Sequence, residues 1–162
     1  MRSMARNVVA AVLVLALSAC GFQLQGRQSL SADMQRLEVR AADHHSDFTQ
    51  ALRRSLDASG ARLVESAGSD EAVVRILHDR FTETVLTVDA RNIPTDYELV
   101  YEVEVEVRRG AETLMPAEPF QLSRIFSFDE HRQLAKEREK DVLREALARD
   151  LASVVLRRIA AL

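Results

Sequence analysis

The sequence predicts an α+β fold, a two-layer sandwich of order β-α-β-β-β-α in which two helices cover one face of a four-stranded sheet. Three observations predict it. A capped amphipathic segment begins near Ser46, a strictly alternating stretch covers residues 98–108, and residues 130–162 contain neither Gly nor Pro. Strands grouped between two helical segments favour helices packed together on one side of a sheet.

The first strand and the first helix are predicted from short stretches of sequence. Residues 37–40 alternate between apolar and charged side chains, which indicates a short strand. Ser46 is a good N-cap residue, and Asp47 behind it suits the positive end of a helix. Gly60 ends the segment as a C′ glycine does, so the helix is predicted over residues 47–59.

The centre of the chain is rich in β-forming residues. Residues 61–64 could add a brief strand, and residues 72–88 predict one long strand or two strands with a bulge. Pro94 marks a turn within residues 91–96. The alternating strand that follows places apolar side chains on one face and carboxylates on the other; the carboxylates are Glu98, Glu102, Glu104 and Glu106. A sheet face this polar must contact water or a polar partner.

The last strand and the last helix complete the order. Pro116 and Pro119 exclude a long helix near them, and residues 120–128 support a final strand. Residues 127–130 fit a capping box. The long helix is predicted over residues 130–162, with an amphipathic stripe of Leu143, Leu147, Leu151, Val154, Val155, Ile159 and Leu162.

The N-terminal segment has the layout of a bacterial secretion signal. Arg2 and Arg6 precede an apolar run that is too short to span a bilayer, and Ser18-Ala19 stand directly before Cys20, the only cysteine. This is similar to the lipobox of bacterial lipoproteins, in which the cysteine carries a thioether-linked diacylglycerol and usually an N-acyl group. We therefore expect a signal peptide at residues 1–19, a lipidated tether at 20–35 and a folded domain at 36–162. An ordinary secretion signal that ends in Cys is the alternative.

Composition limits the function classes. Cleavage before Cys20 leaves 20 basic against 25 acidic side chains, so the formal charge falls from −3 to −5. Such a chain has no general attraction for nucleic acid. The four histidines lack metal-ligand spacing, and no nucleophile motif is present. We therefore expect no enzyme activity, no metal and no cofactor, apart from the covalent S-diacylglycerol and N-acyl groups on Cys20.

Several motifs occur in order along the mature chain. They are CGFQL at 20–24, RN at 91–92, YEL at 97–99, RIFSFD at 124–129, LAK at 134–136 and LRR at 156–158. With the lipobox, they resemble the LptE (RlpB) family of lipopolysaccharide-assembly lipoproteins over essentially the whole mature chain. The resemblance implies a four-stranded sheet with two helices, in agreement with the fold that the residue patterns predict.

The resemblance also implies a location and partners. Members of that family are anchored on the periplasmic side of the outer membrane and plug the LptD β-barrel. Together they form the translocon that delivers lipopolysaccharide to the outer leaflet, and the lipoprotein assists assembly of the barrel. Gly21, after the cysteine, favours the outer membrane over the inner one.

Candidate lipopolysaccharide-binding residues follow from the same resemblance. Arg91 and Lys136 match basic residues implicated in the family, and Arg124 and Arg132 are weaker neighbours. Cations beside lipid A phosphates would make charge-assisted hydrogen bonds. The alternative is that Arg91 caps a turn and Lys136 pairs with an acidic neighbour on a solvated helix. For the whole protein, the alternatives are a periplasmic lipoprotein adaptor of another envelope lipid-transport complex and a surface-anchored hydrolase.

Overall fold

The structure, a computed structural model, describes residues 30–31, 34–127 and 133–162, with side chains from residue 137 onward in the last range. Its elements are β1 (Arg36–Ala41), α1 (Asp47–Ala58), β2 (Arg62–Val64), β3 (Ala72–Val88), β4 (Pro94–Arg109), β5 (Glu112–Ser127) and α2 (Gln133–Ile159). The signal peptide, Cys20, most of the tether, Arg132 and most of the capping box lie outside the described residues.

The sheet has five strands in the order β2-β1-β3-β4-β5, and the α+β class is confirmed. The expectation of four strands was wrong by one. The additional strand is β2, which pairs in parallel with β1 through three residues. A segment of three residues is too short for its sequence pattern to predict a strand. It forms one here because it pairs with the neighbouring β1.

The helices α1 and α2 pack on one face of the sheet and on each other. The core between the layers includes Phe48 and Leu52 from α1, Leu147 and Leu151 from α2, and alternate residues of β4. Fully burying one such side chain contributes about 1.5–3 kcal/mol.

Helix α1 begins and ends as its sequence predicts. The Ser46 hydroxyl accepts a hydrogen bond from the Thr49 N–H at 3.1 Å and donates one to the Asp79 carboxylate on β3 at 2.5 Å. Gly60 has φ +92°, a left-handed conformation that glycine adopts without strain. The Tyr101 hydroxyl of β4 accepts a hydrogen bond from the Phe48 N–H at 3.2 Å. These contacts fix the start of α1 against the sheet.

The strands β3, β4 and β5 form two long antiparallel hairpins. Pairing between β3 and β4 extends from Ala72–Arg109 to Val88–Pro94, with irregularities near residues 77, 86 and 88. Strand β5 begins at Glu112, earlier than expected, and includes both Pro116 and Pro119. It tolerates them because it is an edge strand, whose outward amides have no ladder partner.

The second face of the sheet carries charge, and neither α1 nor α2 packs on it. The glutamates of β4 face basic residues of β3 there: Glu106 accepts a hydrogen bond from Arg75 at 2.6 Å, and Glu102 lies 3.2 Å from the His78 ring and 3.7 Å from Arg80. We call this surface the open face. The predicted polar face is therefore confirmed, and β3 supplies the opposite charges.

Candidate functional site

The β3–β4 hairpin ends in a tight turn that places Arg91 at its tip. The Asp89 N–H donates to the Ile93 carbonyl at 2.8 Å, and the Asn92 N–H donates to the Asp89 carbonyl at 2.9 Å. Asn92 has φ +63°, a left-handed conformation that asparagine accepts better than most residues. We call residues 85–96 the hairpin end.

The Asp89 carboxylate organises this turn. It accepts hydrogen bonds from the backbone N–H groups of Ile93 at 2.9 Å and Arg91 at 2.8 Å, and from the Arg91 side-chain Nε at 3.0 Å. The Ile93 amide first, and then the Arg91 amide and guanidinium, hold the pKa of Asp89 below its usual value. Arg91 thus does belong to a turn, as the alternative interpretation required, yet its side chain stays 63% exposed and its guanidinium stands at the surface.

Exposed apolar side chains lie on the strand that leads to Arg91. Val85, Leu86 and Val88 of β3 are each 45–48% exposed. Ile125 of β5 is 65% exposed, but it pairs with Glu98, farther from the turn. Val85 lies opposite Tyr97, which lies opposite Phe126, so this end of the sheet is three strands wide. The sequence patterns did not single out these residues. The signal available was that residues 72–88 lack a clean polar face.

Arg124 lies away from the hairpin end. It is paired with Leu99 on β4, five residues from Pro94, which corresponds to about 17 Å along a strand. Its guanidinium is 3.6 Å from the Asp150 carboxylate of α2, and both side chains are about half exposed. The structure therefore places Arg124 on the helix side of the sheet, apart from Arg91.

Lys136 belongs to the first turns of α2, with its side chain outside the described atoms. One turn later, Lys140 contacts Glu137 at 2.9 Å and Glu83 of β3 at 3.2 Å. The hydrogen bond to Glu137 is the largest cause that raises the pKa of Lys140. Since β5 ends opposite Asp96 and α2 follows it, the start of α2 lies toward the same end of the sheet as Arg91. Chain topology thus brings Arg91 and Lys136 to one end.

The chemistry available at this end is binding. Apolar side chains beside a guanidinium suit an amphiphile with an anionic headgroup, because each part of such a ligand meets a matching surface. Within residues 30–31, 34–127 and 133–162, no group of three or more His, Cys, Asp or Glu could hold a metal ion. None of the helices in this part of the chain combines the length and apolarity needed to cross a membrane.

Comparison with known proteins agrees with the fold and the motifs. The family model of LptE, described as lipopolysaccharide-assembly, matches residues 34–159. The LPS-assembly lipoprotein LptE of Pectobacterium atrosepticum is 25% identical over 160 residues, which cover 98% of this chain and 86% of that protein. The LPS-assembly lipoprotein LptE of Yersinia enterocolitica is 25% identical over 147 residues, covering 90% and 70%.

Solved structures show the same architecture. Lipoprotein B from Nitrosomonas europaea superposes with a TM-score of 0.72 at 25% identity, covering 87% of this chain and 91% of that one. The rare lipoprotein B from Shewanella oneidensis gives a TM-score of 0.66 at 25% identity, covering 78% and 94%. The family model matches most of the chain in one continuous stretch. The chain therefore belongs to the LptE family of lipopolysaccharide-assembly proteins.

Proposed function

We propose that the protein is an outer-membrane lipoprotein that works in lipopolysaccharide assembly as the plug of an LptD-type β-barrel. Family membership and relatives that are named LPS-assembly lipoproteins support this role. Acyl groups on Cys20 would anchor it on the periplasmic side, because two or more buried acyl chains hold a protein stably on a membrane.

A charged open face and a compact two-layer body support the plug role. A wide barrel has a polar interior, and a plug has to present polar surface to it. The open face satisfies this with the glutamates of β4, of which Glu106 and Glu102 lie against Arg75 and Arg80 of β3.

Lipopolysaccharide binding belongs, in this proposal, to the hairpin end and the start of α2. The observation that carries it is the surface position of Arg91 at the turn that directly follows the exposed Val85, Leu86 and Val88. Arg91 and Lys136 would contact lipid A phosphates, and Arg132 and Arg124 would contribute more weakly, Arg124 from its place beside Asp150. The exposed apolar side chains would contact acyl chains.

Neutral substitution of Arg91 and Lys136 tests the binding site. An aspartate at position 91 would repel the neighbouring Asp89 and disturb the turn, so we choose Arg91→Gln with Lys136→Gln. Because this variant cannot form two charge-assisted hydrogen bonds to phosphate, its full chain should bind lipopolysaccharide at least about tenfold more weakly, with an unchanged circular dichroism spectrum. Binding would be measured by titrating labelled lipopolysaccharide in neutral detergent.

The matched control removes two arginines elsewhere. Arg53→Gln with Arg54→Gln makes the same change of net charge on α1 and should leave the affinity unchanged. Equal affinities for wild type and the Arg91/Lys136 variant would remove both residues from the site. If both variants lost affinity equally, the loss would be explained by the change of net charge and not by a site at Arg91 and Lys136.

A further inference from the structure

The open face carries a second basic feature at the end of the sheet opposite the hairpin end. A shallow pocket of about 330 Å³ lies there, and its walls include Arg40, Arg75 and Arg108 together with the turn glycine Gly110. Gly110 has φ +53°, and a Cβ on it would stand 2.9 Å from the Ser69 carbonyl oxygen. Glycine at this position therefore lets the β4–β5 turn close against the loop before β3.

The sheet register brings the three arginines together from three strands. Arg40 of β1 is the direct partner of Arg75 of β3, which is in turn opposite Glu106 of β4. In the next row of the same face, Val73 is opposite Arg108. Val73 thus forms the floor of the pocket, and the guanidinium groups surround it. Like charges placed directly opposite on a sheet destabilise it unless other groups compensate.

Two of the arginines are held by carboxylates that lie deeper than they do. Glu38 accepts two hydrogen bonds of 2.9 Å from Arg40, and Glu106 accepts one of 2.6 Å from Arg75. The glutamate side chains are only 10% and 16% exposed, whereas the two arginines are 59% and 39% exposed. The carboxylates therefore fix the guanidinium groups from below and leave them at the rim of the pocket.

The third arginine, Arg108, is unpaired within the part of the chain that the structure describes. Its Nε is shielded from solvent and has no hydrogen-bond partner there. Three guanidinium groups against two carboxylates leave an excess of one positive charge in the pocket. A shielded donor without an acceptor is costly, and an anion in the pocket would supply the acceptor.

We propose that this pocket binds the phosphate group of a lipid headgroup. A phosphate offers several acceptor oxygens in a tetrahedral arrangement, so it can receive N–H groups from several guanidinium groups at once. A pocket of this volume, at the lower end of the range for small-molecule sites, leaves room for an attached glycerol or sugar. The phosphate belongs either to a phospholipid or to lipopolysaccharide.

The position of the pocket favours a lipid as the source of the phosphate. β1 enters the sheet at this end, so the chain that leads back to Cys20 joins the domain here. An anion site at this end would orient the domain against the membrane that holds its anchor. The choice of a lipid rests on the proposed function, whereas the anion site itself rests only on the arginines.

Titration with small headgroup fragments tests the proposal. The full chain in neutral detergent would be titrated with glycerol 1-phosphate and, separately, with glucosamine 1-phosphate, while the Arg Nε–Hε resonances are followed by NMR. We expect saturable shifts at Arg108 and a loss of affinity of at least about tenfold in Arg108→Gln. Arg54→Gln, an equal charge change on α1, should bind as wild type does.

Further variants make every outcome decisive. Arg108→Lys keeps the charge and should retain part of the affinity, which guards against a folding defect in Arg108→Gln. Tighter binding of either fragment supports the site and assigns its source. The proposal would be overturned if neither fragment bound saturably, or if Arg54→Gln and Arg108→Gln lowered the affinity equally. An affinity for glutarate equal to that for the fragments would also overturn it, because it would indicate that the pocket binds a protein carboxylate.

The two anion sites can be separated experimentally. The Arg91→Gln with Lys136→Gln variant should keep its affinity for the headgroup fragments. The proposed function could fail while the pocket is real. In that case the Arg91→Gln with Lys136→Gln variant would bind lipopolysaccharide with the affinity of wild type, and Arg108→Gln would still show weakened binding of the fragments.

Discussion

At the residue scale, two carboxylates accept hydrogen bonds from backbone N–H groups in loops and turns. Asp89 fixes the hairpin turn, and Glu38 joins Arg40 to the loop before β3 by accepting a hydrogen bond from the Ala67 N–H at 3.0 Å. Arg40 first, and then the Ala67 amide, lower the pKa of Glu38 from its ordinary value of 4.5. Only 8% of Glu38 is exposed, so its ionised form depends on these partners.

The lowered pKa of Glu38 sets a direction for the pH dependence of stability. A carboxyl with a lower pKa in the folded state stabilises fully above about pH 4.5, and this contribution is lost as the pH falls through the lowered value. Glu38→Gln should therefore reduce the free energy of unfolding by about 1–2 kcal/mol at pH 7, and by less in acid. Urea unfolding of wild type and Glu38→Gln at pH 7 and pH 3 measures the difference in free energy of unfolding at each pH.

The exposed Glu65, in the loop after β2, supplies the control for that measurement. Glu65→Gln should change stability little at either pH, since its side chain is solvated. A difference between wild type and Glu38→Gln that is as large at pH 3 as at pH 7 would contradict the electrostatic role of Glu38.

At the scale of elements, local chemistry predicted more than long-range pairing did. The bounds of α1 follow from Ser46 and Gly60, and the prediction of 47–59 differs from the structure by one residue. β5 was predicted too short, over residues 120–128, whereas it begins at Glu112 and includes Pro116 and Pro119, which its edge position tolerates. The open face was predicted from alternation in β4, but its counter-charges come from the register with β3.

Helix α2 offers a comparison between a buried and an exposed position. Leu147 is 2% exposed in the core, whereas Val142 is 61% exposed on the same helix. Leu147→Ala should lower the free energy of unfolding by about 2–5 kcal/mol, because it buries less apolar surface and leaves a cavity. Val142→Ala should change it by less than about 0.5 kcal/mol. Similar decreases in urea unfolding for both variants would contradict the packing of α2 on the sheet.

At the scale of the whole molecule, the two candidate anion sites lie at opposite ends of one sheet. The place of Arg91 at a turn was predicted from Pro94, whereas the binding roles of Arg91 and Lys136 came only from the family resemblance. The arginine pocket was not readable, because Arg40, Arg75 and Arg108 are brought together only by the pairing of β1 and β4 on either side of β3. If both proposals hold, the protein would contact one lipid near the end of the sheet where its anchored chain enters and another at the hairpin end.

The proposed function requires this chain to act with a large outer-membrane β-barrel. The most direct measurement is to isolate the tagged lipoprotein from detergent-solubilised outer membranes and identify by mass spectrometry what co-purifies with it. We expect recovery from the outer-membrane fraction, as an anchor on Cys20 requires, with a large β-barrel in near-equal amount. Recovery with inner-membrane lipid-transporter subunits alone, or with no partner, would contradict the claim and favour the adaptor role.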